Sequence, residues 1–299
     1  MKIKEPTFEI IKQNPGIEGI YEIIEKAGRL CYASEAKEDS AKIFVEKLVK
    51  KQHTSPLEHG TVYLKVNNHD FFHRLKGEYR WNHYSKTIIV EDKVFITTNY
   101  AVLRENDWLD DLQFQCEPTK YHEKRVSVKF STQIAISREY NRYRKDSVSE
   151  QSTRYCNFTD GKFGGDVAIN EPTWVKNSVH YDKELCKTST KEMLIALCQD
   201  LMEGDDGDWT DIDYWLFSSL VSIYCYNNLI RLGRKAEQAR VVLPLDTNTE
   251  LMHTAFVSDW KHFFDQRVST IAKTGRPHPD ASIIADPMYR EFIKKGYLK

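Results

Sequence analysis

The sequence predicts a chain of the α+β class. Three observations predict it. Apolar residues recur at helical spacing through IEGIYEIIEKAGRLCYAS and through DIDYWLFSSLVSIYCYNNLIRLG. They alternate with a period of two in GTVYLKV and in RVSVKF, as in strands with one face covered. No internal repeat and no low-complexity linker divides the 299 residues, a length that suits one large domain or two modest ones.

The elements follow in order. The first helix pattern is IEGIYEIIEKAGRLCYAS, residues 17–34. AKIFVEKLVKKQ repeats it, with Ile43, Val45, Leu48 and Val49 on one side. Ser55-Pro56 ends that helix, because proline restricts the residue before it. GTVYLKV is a strand with Val62, Leu64 and Val66 on one face. Residues 69–124 mix aromatic and polar character; within them DKVFITTNYAVL reads as a strand followed by a helix. RVSVKF is the next strand, and Ser131 or Thr132 caps a helix through QIAISREYNRY. TDGKFGGD is a loop, and residues 190–202 are helical. The long helix from Asp211 ends at Gly233. RKAEQARVVLP is a second helix stopped by Pro244, ELMHTAFVSDWKHFFDQRV a third, and the tail from Thr274 opens as a loop and returns to helix.

Composition narrows the function classes. Lys and Arg number 43 against 44 Asp and Glu, a net charge of −1, which disfavours a general nucleic-acid binder. No apolar run approaches the ~20 residues of a membrane span, and MKIKEPTFEIIKQ lacks the apolar core of a signal peptide. A cytoplasmic location is expected. The six cysteines are scattered without a C-x-x-C pair, so neither a zinc site nor a disulfide framework is expected. His69 and His73 are four apart, but only Asp70 accompanies them, and no metal is expected.

The chemistry concentrates in NRYRKDSVSEQSTRYCNF, residues 141–158. In an extended segment Glu150, Ser152 and Arg154 point to one side. Arginine forks match phosphate oxygens, and a hydroxyl with backbone N–H groups completes an anion cradle. Glu150 repels a phosphate and so faces a sugar hydroxyl, a ring N–H or a cofactor. From the residues alone this is either a nucleotide cradle or a solvated charged loop.

RYRKDSVSEQSTRY resembles the signature of the flavin-dependent thymidylate synthases, the ThyX family, R-H-R-x-x-S-x-N-E-x-S-x-R followed by Tyr. Arg142, Arg144, Ser147, Glu150, Ser152, Arg154 and Tyr155 fit in register. Tyr143 stands where the family has His, and Ser149 where it has Asn. HTSPLEH, residues 53–59, looks like the family's segment before its first sheet strand. EQARVVLPLDTNTELMHTAFVSDWKHFFDQR, residues 237–267, looks like its C-terminal block, and AGRLCYAS adds a match near the start. The spacing from His59 to Arg142 exceeds that of compact members, which makes residues of about 68–124 an insertion on the same domain, 1–299.

The resemblance implies a fold and a reaction. The fold is a central, mostly antiparallel sheet flanked by helices. The reaction is reductive methylation of dUMP to dTMP, with FAD as cofactor, methylene-tetrahydrofolate as carbon donor and NADPH as reductant, and without a cysteine nucleophile. It also implies a homotetramer with shared sites. By the same resemblance Arg267 is the catalytic guanidinium beside the base. Arg154, Arg240, Ser152 and the backbone around Gln151 and Thr153 hold dUMP, chiefly its phosphate. Glu139 stands where the family has a nucleotide-contacting Gln. Arg142, Tyr143, Arg144 and Glu150 line the flavin–nucleotide boundary. His53 and Ser55 meet FAD, and His262 takes the place of a flavin-binding Asn. Two alternatives stay open: a relative that methylates or hydroxymethylates another pyrimidine nucleotide, and an RNA-binding module using the Arg/Tyr-rich stretch.

Overall fold

The computed structural model describes residues 1–67, 75–159, 165–184 and 191–298. The chain enters through strands β1 (Lys2–Ile3) and β2 (Thr7–Ile11), then helices α1 (Gly16–Tyr32) and α2 (Ala41–Lys50). A 3-10 turn at Ser55–His59 leads into β3 (Thr61–Asn67); β4 (Lys86–Val90), β5 (Lys93–Asn99) and α3 (Tyr100–Glu105) follow. Then come β6 (Arg125–Gln133), α4 (Ile134–Tyr140), β7 (Ser147–Glu150), β8 (Ala168–Ile169), α5 (Lys191–Glu203) and α6 (Asp211–Arg231). The chain closes with β9 (Asn248–Phe256), α7 (Val257–Arg267) and α8 (Pro279–Lys294).

The central sheet has the order β2-β6-β9-β7 and is antiparallel throughout. A second antiparallel sheet has the order β3-β5-β4, and β1 pairs in parallel with β8. The expected antiparallel architecture with flanking helices is what forms. One face of the central sheet carries Val126, Val128, Phe130 and Leu251, which pack on Trp260, Phe263 and Phe264 of α7 and Phe292 of α8. The opposite face carries hydroxyls and turns toward the 3-10 segment, where His59 bonds Thr254 at 2.8 Å and Ser149 at 3.0 Å. Arg125 adds a bond to Ser147 at 2.8 Å. A second core joins α1 and α2 to the β3-β5-β4 sheet through Ile20, Ile24, Val62, Leu64 and Ile96. β3 buries Val62, Leu64 and Val66 as its alternation predicts.

Several expectations are corrected. ELMHTAF is not helical; it is the inner strand β9, and the helix begins only at Val257. An inner strand covered on both faces loses the alternation that marks a strand, and all but Glu250 of its nine residues are buried. Ser131 and Thr132 do not cap a helix but lie inside β6; Gln133 is the cap position, and its side chain bonds Asp280 instead. RKAEQARVVLP yields only a short helix, Ala236–Ala239, and a 3-10 turn, Arg240–Val242. Ile43 is exposed, while Val45 and Leu48 are buried. Glu150, Ser152 and Arg154 do not share an extended face, because β7 stops at Glu150 and Cys156 N–H turns back to the Ser152 carbonyl at 3.0 Å. The edge strands β2, β4 and β7 and the β1/β8 pair had no periodic signal long enough to mark them. His69, His73 and most of TDGKFGGD lie outside the described residues.

Candidate functional site

β7 divides the signature. The turn Asn141–Asp146 precedes it and the turn around Ser152–Tyr155 follows it, so the two arginine groups sit at opposite ends of one short strand. Each end opens into a cleft.

The upstream cleft has a volume of about 650 Å³ and takes Arg142, Tyr143, Arg144, Lys145 and Asp146 from the turn. Asp259, His262, Gln266 and Arg267 come from α7, one helical turn or two apart on the same side. Arg267 is mostly buried and is gripped by Glu139, carboxylate to Nη1 at 2.6 Å and main-chain carbonyl to Nη2 at 3.2 Å. Its Nε has no hydrogen-bond partner among the described residues. Tyr143 is buried, edge-on to the His262 ring at 5.8 Å, and donates to Gln266 at 3.0 Å. Gln266 in turn meets His262 at 3.2 Å. Tyr143 therefore ties the turn to α7, and its loss of water raises its pKa above the usual tyrosine range. Arg142 and Arg144 are exposed and carry no ion pair among the described residues.

The downstream cleft, about 730 Å³, is lined by Glu150, Gln151, Ser152, Thr153 and Arg240 with an apolar wall of Ile134, Leu243 and Leu245. The Glu150 carboxylate is fully engaged, accepting from Ser137 at 2.6 Å, Asn141 at 2.7 Å and Thr249 at 3.3 Å. It anchors α4 to β7 rather than facing open space. The Gln151 N–H donates to the Glu250 carbonyl and the Ser152 N–H to the Cys31 carbonyl, so neither is spare for an anion. Arg240 donates to Thr153 Oγ1 at 3.0 Å, and Arg154 meets Glu237 at 3.1 Å. The exposed Arg240 guanidinium with the Ser152 and Thr153 hydroxyls is a donor set suited to a phosphate, while the exposed Arg154 guanidinium is held by Glu237, from the same segment as Arg240.

The anticipated residues are brought together in two groups rather than one. Glu139, Arg142, Tyr143, Arg144, His262 and Arg267 meet upstream. Glu150, Gln151, Ser152, Thr153, Arg154 and Arg240 meet downstream. His53 joins neither: its Nδ1 shares a 2.8 Å hydrogen bond with Tyr32, and it is exposed, as is Ser55. Sequence reasoning missed Gln266, Asp259 and Asp146 upstream and Ser137 and Arg138 downstream. Only the helical spacing of Asp259, His262 and Gln266 signalled them.

Behind the upstream cleft lies a buried ionisable layer. Asp146 Oδ2 is 3.7 Å from His253 Nδ1, and neither atom has a hydrogen-bond partner among the described residues. Burial, then the charge of Asp259, pushes the Asp146 carboxyl up to about 7. Burial holds His59 and His253 down to about 3. Among the described residues no thiol lines the upstream cleft, and burial pushes Cys156 up to about 11, so it is not a thiolate nucleophile. Among the described residues no group of three His, Cys, Asp or Glu side chains is placed to hold a metal, and no helix is long and apolar enough to cross a membrane.

A flavin dinucleotide fits this donor set. Arg142 and Arg144, exposed and without an ion pair among the described residues, line this cleft and suit pyrophosphate oxygens, and Arg267 lines the same cleft.

Among solved structures, the chain is similar to a UMP/dUMP methylase, PolB from Streptomyces cacaoi, bound with 5-Br dUMP. Identity is 16%, coverage 98% of this chain and 93% of that one, and the TM-score 0.42. The same methylase bound with 5-Br UMP gives 15% identity, 98% and 92% coverage and a TM-score of 0.42. Nothing among the curated proteins matches. The family model of the thymidylate synthase complementing proteins, Thy1, matches residues 122–295, a span that contains both clefts, and the chain belongs to that family.

Proposed function

We propose that the chain is a flavin-dependent thymidylate synthase that methylates dUMP to dTMP, using FAD, methylene-tetrahydrofolate and NADPH. One observation supports the reading: Arg267, its guanidinium held by Glu139, lines a cleft together with Arg142, Arg144 and Lys145 and, among the described residues, with no thiol. In this reading Arg267 stabilises negative charge developing on the pyrimidine, remaining protonated throughout. Arg154 and Arg240 hold the nucleotide phosphate with Ser152 and Thr153. Arg142, Arg144, Tyr143 and His262 orient the flavin, and Glu139 fixes the direction of Arg267. When bound, the flavin supplies the reducing equivalents that a cysteine-free methylation requires.

Residues 1–299 are read as one domain with an addition of about 68–124. In support, the family match begins at 122 and β4 and β5 extend from β3. The homotetramer implied by the resemblance is tested by light scattering, where a mass of four times the 35.0 kDa chain would support it and a monomer mass would count against it. The test of function is an absorbance spectrum with and without dUMP, followed by tritium release from C5-labelled dUMP. Flavin bands and tritium release together support the reading, and a colourless, inactive preparation sinks it.

A second reading, methylation or hydroxymethylation of another pyrimidine nucleotide, is favoured by Glu139. It occupies the Arg267 guanidinium where the family has a neutral side chain. Flavin bands without tritium release from dUMP select it.

A further inference from the structure

Three side chains of the upstream cleft form a file of hydrogen bonds that can run in one direction only. Tyr143, from the turn before β7, is buried against Phe263 and edge-on to the His262 ring. Its hydroxyl lies 3.0 Å from Gln266 Oε1, and Gln266 Nε2 lies 3.2 Å from His262 Nε2. His262 and Gln266 are one helical turn apart on α7 and line the cleft with Arg142, Arg144 and Lys145.

The direction follows from which groups can accept. A buried phenol needs an acceptor for its proton. Burial raises the Tyr143 pKa, and the charge of Arg267 and hydrogen bonding from its guanidinium oppose that rise. A guanidinium donates but never accepts, so the phenol proton goes to Gln266. That fixes the amide with its oxygen toward Tyr143 and its NH2 toward His262. An amide NH2 only donates, so His262 Nε2 accepts. A neutral imidazole with an accepting Nε2 carries its proton on Nδ1. Nδ1 has no partner among the described residues, Asp259 one turn earlier included.

We infer that Tyr143 and Gln266 are positioning residues that hold neutral His262 with its proton on Nδ1, so that the ring offers a donor to an acceptor oxygen of the bound flavin dinucleotide. The cations beside it suit the same oxygen-rich ligand, which an accepting Nδ1 would repel. An asparagine could turn either end of its amide toward such a ligand. An imidazole needs its tautomer set, and Gln266 sets it. The ligand rests on the flavin reading above; the place of the proton does not.

The test begins with two-bond nitrogen–proton NMR of the full chain carrying nitrogen-labelled histidine, at about pH 8, where an ordinary imidazole is neutral. His262 is assigned by the signal missing from His262→Asn, and melting temperature is the control for folding. Wild type should show the proton on Nδ1. Gln266→Glu turns the partner into an acceptor and should move the proton to Nε2. Tyr143→Phe frees the amide to rotate and should give both patterns. FAD titration is the second readout. Gln266→Glu should bind about fivefold or more weakly, and Gln266→Glu/His262→Asn within about twofold of wild type, because asparagine brings its own donor. A proton on Nε2 in wild type, or the same spectrum in Gln266→Glu as in wild type, overturns the inference. Unchanged FAD affinity in Gln266→Glu, or a loss that asparagine does not rescue, overturns the flavin contact. If wild type retains no FAD, the proposed function falls, and the spectrum still decides where the proton sits.

Discussion

Arg267 is held by the carboxylate of Glu139 at 2.6 Å and by the Glu139 carbonyl at 3.2 Å, while its buried Nε has no hydrogen-bond partner among the described residues. Glu139 thus fixes one edge of a guanidinium that lines the upstream cleft. A guanidinium fixed on one edge costs little reorganisation when charge develops beside it.

Arg267→Ala should lower kcat by about 10²–10³ or more, the cost of losing one such donor. The variant should still fold, because Glu139 is partly exposed once unpaired. Arg267→Ala combined with Glu139→Gln should recover any lost melting temperature without recovering turnover. Near-normal turnover in the single variant would refute the role.

Arg154→Ala and Arg240→Ala should each raise the KM for dUMP about ten- to a hundredfold, with kcat much less affected. Both side chains are exposed, so the wild-type KM should also rise with ionic strength. An unchanged KM in both variants argues against a phosphate cradle.

The buried ionisable layer predicts a pH dependence. The native Asp146 keeps its proton up to about 7, above its ordinary 3.8, so this residue costs stability as pH rises between those values. His59 and His253 act oppositely: their native values are about 3 against an ordinary 6.5, so their contribution is lost as pH falls through that window. Asp146→Asn removes only the opposing contribution. Urea denaturation between about pH 4 and 6.5 should then show stability rising with pH more steeply than in wild type, by up to about 1.4 kcal/mol per pH unit. Parallel curves for the two proteins would rule out a protonated Asp146.

Gly19→Ala should destabilise the fold although alanine is ordinarily the better helix former by about 1 kcal/mol. A Cβ at Gly19 would lie 1.8 Å from the Asn14 carbonyl oxygen, which is backbone and cannot swing aside. At Gly60 the added carbon meets Ile20 and Ile24 at 2.8 Å, inside the α1 core. Losses of about 1–3 kcal/mol in each are expected from overpacking, read as a lower urea midpoint. A midpoint at or above wild type for Gly19→Ala would contradict the close approach.

The sequence by itself determined the helices that have one apolar side, the strand with Val62, Leu64 and Val66, and the residues that make the chemistry. It could do so because period and motif are local properties, carried by neighbours in the chain. Tertiary structure decided that residues 248–256 are an inner strand, since burial on both faces erases the alternation that would announce it. It also decided that the signature serves two clefts, because β7 is only four residues long and its ends abut different partners, α7 on one side and the Glu237–Arg240 segment on the other. Which arginine pairs with Glu139 depends on packing between segments 128 residues apart, where no local pattern reaches.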